Sequence, residues 1–145
     1  MKSLIPESEI KELLPQKAPF RMVSHLVNYE EMAVTTGLLI EDNNIFAEEG
    51  FFNESGLIEN MAQSIALHIS YQYSLNNIEA PVGYIGAIKN IKLYDRPKVN
   101  SFITTEVIII KEFMGVTLIE GKITCDNKVL LTAQMKTFLA ADPSL

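Results

Sequence analysis

"SGLIENMAQSIALH", residues 55–68, has the apolar spacing of an amphipathic helix. The pattern continues beyond this segment and predicts one long helix over about residues 56–75. Its apolar stripe is formed by Ile58, Ala62, Ile65, Ala66, Ile69 and Tyr73. At about 100° per residue, Glu59 lies at the border of this stripe and not on the opposite side. A carboxylate at that position needs a structural or a chemical reason.

Helix chemistry offers two explanations for Glu59. If Ser55 or Gly56 caps the helix, Glu59 falls in the first turn, where the helix dipole favours a negative charge and a side chain can reach back to the cap. Alternatively, Glu59 is a general acid or base in a cleft formed with a neighbouring subunit. His68 cannot assist it, because nine residues along a helix place it half a turn out of phase and about 13.5 Å away. His25 is a weaker catalytic candidate that could reach Glu59 only through tertiary or intersubunit contact.

Length and composition favour an ordinary globular protein with one domain, residues 1–145. No apolar run approaches the roughly 20 residues of a membrane span, and the first residues lack the apolar stretch of a secretory signal, which favours a cytoplasmic location. The single cysteine, Cys125, and the lack of a Cys/His cluster predict neither an internal disulfide nor a metal site. We expect Cys125 to lie in the core.

The net charge of −6 and the isoelectric point near 4.9 argue against nucleic acid as a partner. Four basic residues nevertheless cluster within ten positions: Lys89, Lys92, Arg96 and Lys98. They have two interpretations. Lysines on an edge strand discourage pairing with other sheets, or the cluster is a docking surface for an anionic ligand or an acidic protein.

The rest of the chain predicts a short leading helix over residues 7–14 and six strands. Two strands, 20–30 and 31–41, precede an acidic loop over 41–55. Three aromatic residues of this loop are expected to pack inward: Phe46, Phe51 and Phe52. Four strands follow the long helix: 83–94, 102–113, 115–125 and 128–140. A tight hairpin is predicted at Asp126 and Asn127.

One helix cannot cover both faces of a six-stranded sheet. We therefore expect an α+β fold in which an antiparallel sheet wraps around the long helix. The strands 102–113 and 115–125 are apolar enough to predict that the second face or an edge is partly covered. A two-fold homodimer is the simplest arrangement.

Three segments together resemble the hotdog-fold family, in particular the 3-hydroxyacyl-acyl-carrier-protein dehydratases and their relatives from pigment and aryl-polyene biosynthesis. They are "LLPQKAPFRMVSHL" (13–26), "GLIENMAQSIAL" (56–67) and "VGYIGAIKNIKLYDRPKVNSFITTEV" (82–107). The Glu-x-Met-Ala-Gln match at residues 59–63 is the most specific part. Gln16 and Lys17 stand where the family has His-Arg.

The resemblance implies a hotdog fold, a dimer with sites at the subunit interface, an acyl thioester of acyl carrier protein or coenzyme A as substrate, and no cofactor. Glu59 corresponds to the carboxylate that protonates the departing 3-hydroxyl group. The resemblance places the other candidate residues near the substrate or the carrier. Substrate contacts are predicted for Phe51, Phe52, Gly56, Leu57 and Gln63, with the amides of Gly56 and Leu57 near the thioester carbonyl; carrier or coenzyme A docking is predicted for Lys89, Lys92, Arg96 and Lys98.

One departure from the family concerns the general base. The family's histidine lies in a "G-H-F-P" stretch, and here Gly50 is followed by Phe51, which cannot accept a proton. Losing general-base assistance lowers a rate by roughly 100- to 10,000-fold. Three hypotheses follow: Glu59 alone acts on acyl thioesters, as a dehydratase or a thioesterase; the chain is a noncatalytic acyl-binding or accessory subunit of a dehydratase complex; or a histidine such as His25 enters the site from another direction.

Overall fold

The computed structural model of this protein describes residues 2–139. Its elements follow in the order α1 (Glu7–Leu13), β1 (His25–Glu30), β2 (Ala33–Leu39), β3 (Ala47–Glu48), β4 (Phe51–Phe52), α2 (Glu54–Ser74), β5 (Gly83–Leu93), β6 (Phe102–Phe113), β7 (Val116–Cys125) and β8 (Lys128–Leu139). Residue 140 of the predicted last strand lies outside the described residues. Over residues 2–139, no helix combines the length and the apolar content needed to cross a bilayer.

Six strands form one antiparallel sheet in the order β1-β2-β6-β7-β8-β5, and α2 packs against one face of it. The hairpin between β7 and β8 turns at Asp126 and Asn127, both with positive φ, as predicted. The core lies between α2 and the sheet, closed at one end by α1. This arrangement is the hotdog fold, and the predicted fold class is confirmed.

The long helix begins at Glu54, two residues before the predicted start. Asn53 is its cap, because the Asn53 side chain accepts a hydrogen bond from the Gly56 amide at 3.0 Å. Glu59 is therefore the sixth helical residue and lies outside the first turn. The explanation of Glu59 as a first-turn or capping carboxylate is wrong.

The side of α2 that is buried against the chain is partly polar, which the sequence did not predict. Asn60, Gln63 and Ser64 are fully buried, whereas Ala62 and Ala66 of the predicted apolar stripe are only partly buried. All three buried polar side chains have hydrogen-bond partners, which makes their burial tolerable. The apolar stripe therefore borders an open part of the molecule.

The first strand begins at His25 and not at Phe20. The preceding backbone bonds to side chains of α2: Met22 donates to Gln63 Oε1 at 2.6 Å and accepts from Asn60 Nδ2 at 2.7 Å. Since these backbone groups are already paired, the segment cannot join the sheet there. Its β-branched and apolar composition nevertheless suits the core, where Met22 and Val23 are buried.

The loop over residues 41–55 contains the short β3–β4 hairpin, which the sequence did not predict. Glu49 and Gly50 both have positive φ at its turn. Phe52 is fully buried and Phe46 is half-buried, but Phe51 is 42% exposed. The prediction that all three aromatic residues pack inward is wrong for Phe51, because neighbouring residues of a strand point to opposite sides.

Part of the apolar surface left open in the described chain lies at the β5 edge. The residues of β5 that pair with buried residues of β8 face the helix side of the sheet, yet Ile85, Ile88 and Leu93 remain about 40% exposed, at 42%, 37% and 41%. The opposite face carries polar pairs such as Lys122 with Glu106. The opposite face also exposes Ile108 at 53% and Ile110 at 48%, so apolar surface is open to a partner both at the edge and on the second face.

We predict that Asn60→Ala lowers the free energy of unfolding by about 2–3 kcal/mol, because the Met22 carbonyl and the Thr105 hydroxyl lose their buried partner. Denaturant unfolding followed by circular dichroism measures this change. Asn43→Ala, at an exposed turn position, is the control and should change stability by less than about 0.5 kcal/mol. Equal small effects of the two substitutions would contradict the structural role of Asn60.

Candidate active site

A cavity of about 620 Å³ runs beside α2. One wall is the end of α1 with the residues that follow it, 12–17; the second is α2; the third is residues 78–85 leading into β5. The α2 residues on the wall extend from Glu59 to Ser74, a length of about 22 Å at the helical rise. The cavity is thus elongated, and Glu59 lies at one end of it.

The apolar stripe of α2 lines this cavity. Ala62, Ile65, Ala66 and Ile69 supply its helix wall. The small side chains of the two alanines leave room beside the helix, and the isoleucines make the wall apolar. Such a surface suits an extended hydrocarbon chain, which gains free energy from leaving water.

Glu59 is half-buried and is oriented by Gln63 one turn further along α2. Gln63 Nε2 donates a hydrogen bond to Glu59 Oε1 at 2.9 Å. The contact follows from the i, i+4 spacing on one helix face. The carboxylate is therefore held at the border between the cavity and the buried polar groups.

Gln63 is itself fixed by the backbone before β1. Its Oε1 accepts from the Met22 amide at 2.6 Å, and its Nε2 donates to the Phe20 carbonyl at 2.9 Å as well as to Glu59. With both amide protons and the oxygen engaged, the side chain has little rotational freedom. The predicted contact of Gln63 with substrate stays a prediction; in the described chain, its buried amide holds the Glu59 carboxylate.

An ion pair fixes the wall contributed by α1. Arg21 Nη2 lies 2.7 Å from Glu7 Oε1, and Arg21 Nη1 donates to the Val23 carbonyl. The hydrogen bond from Arg21 lowers the pKa of the Glu7 carboxyl, so the pair persists to mildly acidic pH. Since Glu7 is half-exposed, the pair contributes little stability. Its effect is to tie α1 to the segment that also holds Gln63.

Phe52, Gly56 and Leu57, which were also predicted to contact substrate, are engaged inside the chain, whereas Phe51 is exposed. Phe52 packs against Phe46 and closes over Gly56, where an added Cβ would lie 2.5 Å from the Phe52 ring. The amides of Gly56 and Leu57 both donate to the Asn53 carbonyl, and that of Gly56 also to the Asn53 side chain. The predicted contact of their amides with a thioester carbonyl stays a prediction, and these hydrogen bonds do not support it.

Neither histidine lines the cavity. His25 contacts Ser24 Oγ at 2.8 Å and meets Phe102 edge-on, at the start of β1. His68 is buried on the far side of α2, where its Nε2 lies 2.9 Å from the Glu30 carbonyl and its ring stacks on Tyr29. In the part of the chain that the structure describes, neither histidine therefore shares the cavity with Glu59.

The four predicted docking residues are all exposed, but they do not form one patch. Lys89 and Lys92 pair with Gln134 and Thr132 on the outer face of the sheet. Arg96 instead forms an ion pair with Glu54 at the start of α2, with Arg96 Nη2 2.9 Å from Glu54 Oε2. Lys98 forms an isolated antiparallel β-bridge with Phe51. Docking by these residues stays a prediction, and only the last two lie near the start of α2.

Sequence reasoning missed the roles of two polar residues. Asn53 is a typical cap, but Ser55 and Gly56 offered equally good signals two and three residues later. Asn60 is part of the motif that identified the helix, yet an asparagine between apolar positions gave no sign of its buried bonds.

Cys125 is half-buried rather than in the core, and burial raises the pKa of its thiol, so it is a poor nucleophile at neutral pH.

The fold and the cavity together define a hotdog protein with an elongated cavity that runs from one carboxylate along an apolar helix wall. Residues 8–144 match the ApeP-like family, described as ApeP dehydratase. Because this match spans nearly the whole chain, the protein belongs to that family.

Curated relatives of this chain are named as dehydratases. The chain is 28% identical over 139 residues to the 3-hydroxyacyl-[acyl-carrier-protein] dehydratase FabZ of Pasteurella multocida, covering 91% of this chain and 90% of the relative. It is 27% identical over 135 residues to the FabZ of Vibrio cholerae, with 89% and 88% covered. The resemblance to dehydratases derived from the sequence is confirmed.

Solved structures confirm the fold. A chain of the dehydratase heterocomplex ApeI:P from Xenorhabdus doucetiae superposes with a TM-score of 0.85 at 17% identity, covering 95% of this chain and 93% of that one. A hypothetical thioesterase with coenzyme A from Streptococcus pneumoniae gives 0.65 at 13% identity, covering 81% and 86%. At these identities the similarity establishes the fold alone.

We predict that Gln63→Leu increases hydrogen exchange at the Met22 amide by at least about tenfold, because that amide loses its acceptor. Residue-resolved exchange measured by NMR tests this. The Ser24 amide, which donates to the Gly37 carbonyl, is the internal control and should keep its protection. Unchanged exchange at Met22 would show that Gln63 does not anchor this segment.

Proposed function

We propose that this chain is the acid-bearing subunit of a 3-hydroxyacyl-thioester dehydratase. The observation that supports it most directly is the carboxylate of Glu59, held by Gln63 at one end of an elongated cavity with an apolar helix wall. A 3-hydroxyacyl thioester has a polar reacting end and a hydrocarbon tail. These two parts match the carboxylate and the apolar wall respectively.

The reaction requires an acid and a base. A base removes a proton from C2, the carbon next to the thioester carbonyl, and the electron pair left on C2 forms the double bond to C3. The C3–O bond breaks, and Glu59, in its protonated form, donates a proton to the departing hydroxyl group. The products are a 2-enoyl thioester and water, after which the base returns its proton to Glu59 through solvent.

The base, in this proposal, comes from a second and different chain. Phe51 cannot accept a proton, and His25 and His68 have contacts away from the cavity. Two copies of this chain would place a phenylalanine in both sites. The solved heterocomplex named as a dehydratase favours a pairing of unlike chains, and the open β5 edge offers apolar surface for such a partner. A homodimer remains the prediction for the chain alone.

The carrier is proposed to be an acyl carrier protein, as in the names of the curated relatives. Arg96 and Lys98 lie beside the start of α2, near the Glu59 end of the cavity. Their positive charges would attract an acidic carrier. Coenzyme A thioesters are the alternative substrates of the same chemistry.

Glu59→Gln should abolish dehydration in the assembled enzyme, lowering kcat by about 100-fold or more, because an amide is far too weak an acid to protonate the leaving group. Enoyl thioester formation, followed by its ultraviolet absorbance, measures this, with released thiol recorded in parallel. Glu31→Gln, at an exposed turn, is the control and should keep its activity, since Glu31 lies outside the cavity wall. Released thiol without enoyl product would instead establish a thioesterase.

Phe51→His should raise the dehydration rate of the isolated chain by about 100-fold or more, because it returns a general base to the position that the family uses. Phe51 is partly exposed, so the fold should accept the change. Phe51→Leu is the matched control and should give no gain. A high rate in the unmodified isolated chain would contradict the need for a second chain.

A further inference from the structure

Gln16 carries an orphaned polar atom. Gln16 lines the same cavity as Glu59, and its Oε1 is buried without a hydrogen-bond partner. Among the buried side-chain nitrogen and oxygen atoms of residues 2–139, it is the only one in this condition. Leaving a buried acceptor unpaired costs about 1–3 kcal/mol, so the atom calls for a donor that binds from outside the chain.

The segments before and after Gln16 are anchored by hydrogen bonds, and these bonds do not supply that donor. Lys17, the adjacent cation, uses its Nζ on the carbonyls of Lys11 and Leu14 at the end of α1. Phe20 and Met22 follow Gln16 by a few residues, and their backbone groups are hydrogen-bonded to Gln63 of α2, one turn from Glu59. Gln16 is thus part of a fixed wall at the same cavity as the candidate acid.

We propose that Gln16 Oε1 accepts a hydrogen bond from the bound acyl thioester and that Gln16 is a specificity-determining residue of the site. The proposal rests on the function proposed above for the class of ligand. The acyl thioester has two kinds of donor: the 3-hydroxyl group of the acyl chain and the amide N–H groups of the pantetheine arm. Either one satisfies the same acceptor.

In the free protein, the unpaired acceptor lowers the stability, and a hydrogen bond from the ligand removes this cost. Replacing Gln16 by methionine, which has similar length and no amide, removes both the unpaired acceptor and the bond to the ligand. Gln16→Met should therefore keep or raise the melting temperature while weakening binding. A residue that only packs would lose stability with no selective loss of ligand.

The test measures binding without turnover, by titration calorimetry in the Glu59→Gln background of the full chain, in the assembly in which it purifies. The probes are 3-hydroxyhexanoyl-pantetheine and hexanoyl-pantetheine. Gln16→Met should weaken binding by about 3- to 10-fold, the size of one net hydrogen bond. A loss confined to the hydroxylated probe identifies the hydroxyl as the donor, and an equal loss for both probes identifies a pantetheine amide.

Gln72→Met is the matched control, since this α2 glutamine lies outside the cavity wall and its replacement should leave binding unchanged. Unchanged binding of both probes in Gln16→Met would overturn the inference. A lower melting temperature with loss of assembly would also overturn it, because the hydrogen-bond partner of Gln16 Oε1 would then be another protein chain. Dehydration activity is measured separately. If the enzyme dehydrates its substrate but binding does not depend on Gln16, only this inference is rejected. If binding depends on Gln16 but no dehydration occurs, only the proposed reaction is rejected.

Discussion

The rotation of α2 about its own axis is set by three buried polar side chains, Asn60, Gln63 and Ser64. Each has a partner at a fixed place: the backbone of residues 20–22, or the hydroxyl of Thr36. Because an unpaired buried polar group costs about 1–3 kcal/mol, turning the helix to bury its apolar stripe would break several bonds at once. The helix therefore keeps these polar side chains, together with Leu57, Met61 and Leu67, against the chain and leaves much of its apolar stripe to the cavity.

The same constraint builds the candidate site. Gln63 lies about 40° around the helix from Glu59, between the buried polar side and the open apolar stripe. Its amide is anchored on the backbone at residues 20–22 and reaches the carboxylate with its remaining proton. The hydrogen bonds that fix the helix thus also fix the acid. For this reason the fold needs no separate arrangement to orient Glu59.

Much of the fold was predictable because the periodicities of two and 3.6 residues are local properties of the sequence. The strands after α2 have nearly the predicted bounds. The prediction failed where long-range hydrogen bonds decide the structure. Residues 20–24 have strand composition, but their backbone pairs with Asn60 and Gln63 of a helix far along the chain. Periodicity also cannot show that Asn60 and Ser64 have buried partners.

The candidate site was predictable to the same extent. Glu59 was identified from its place beside the stripe and from the motif that surrounds it. The sequence predicts a cleft beside Glu59 formed with a neighbouring subunit, but it could not show the cavity walls within this chain, because they are three segments distant in sequence: the end of α1, one side of α2 and the start of β5. Phe51 was noted as a departure from the family, and its exposure agrees with a position open to a partner rather than to the core.

The combination of a kept acid and a missing base argues for a shared site over a purely structural chain. A scaffold subunit gains nothing from a carboxylate beside an apolar wall, since the half-burial of a charge opposes folding. Nor does it need an elongated cavity, because filling that space with larger side chains than Ala62 and Ala66 would stabilise the core. Both features are accounted for if a ligand occupies the cavity and Glu59 acts on it. Under the proposed function, this chain supplies the acid and a second chain supplies the base.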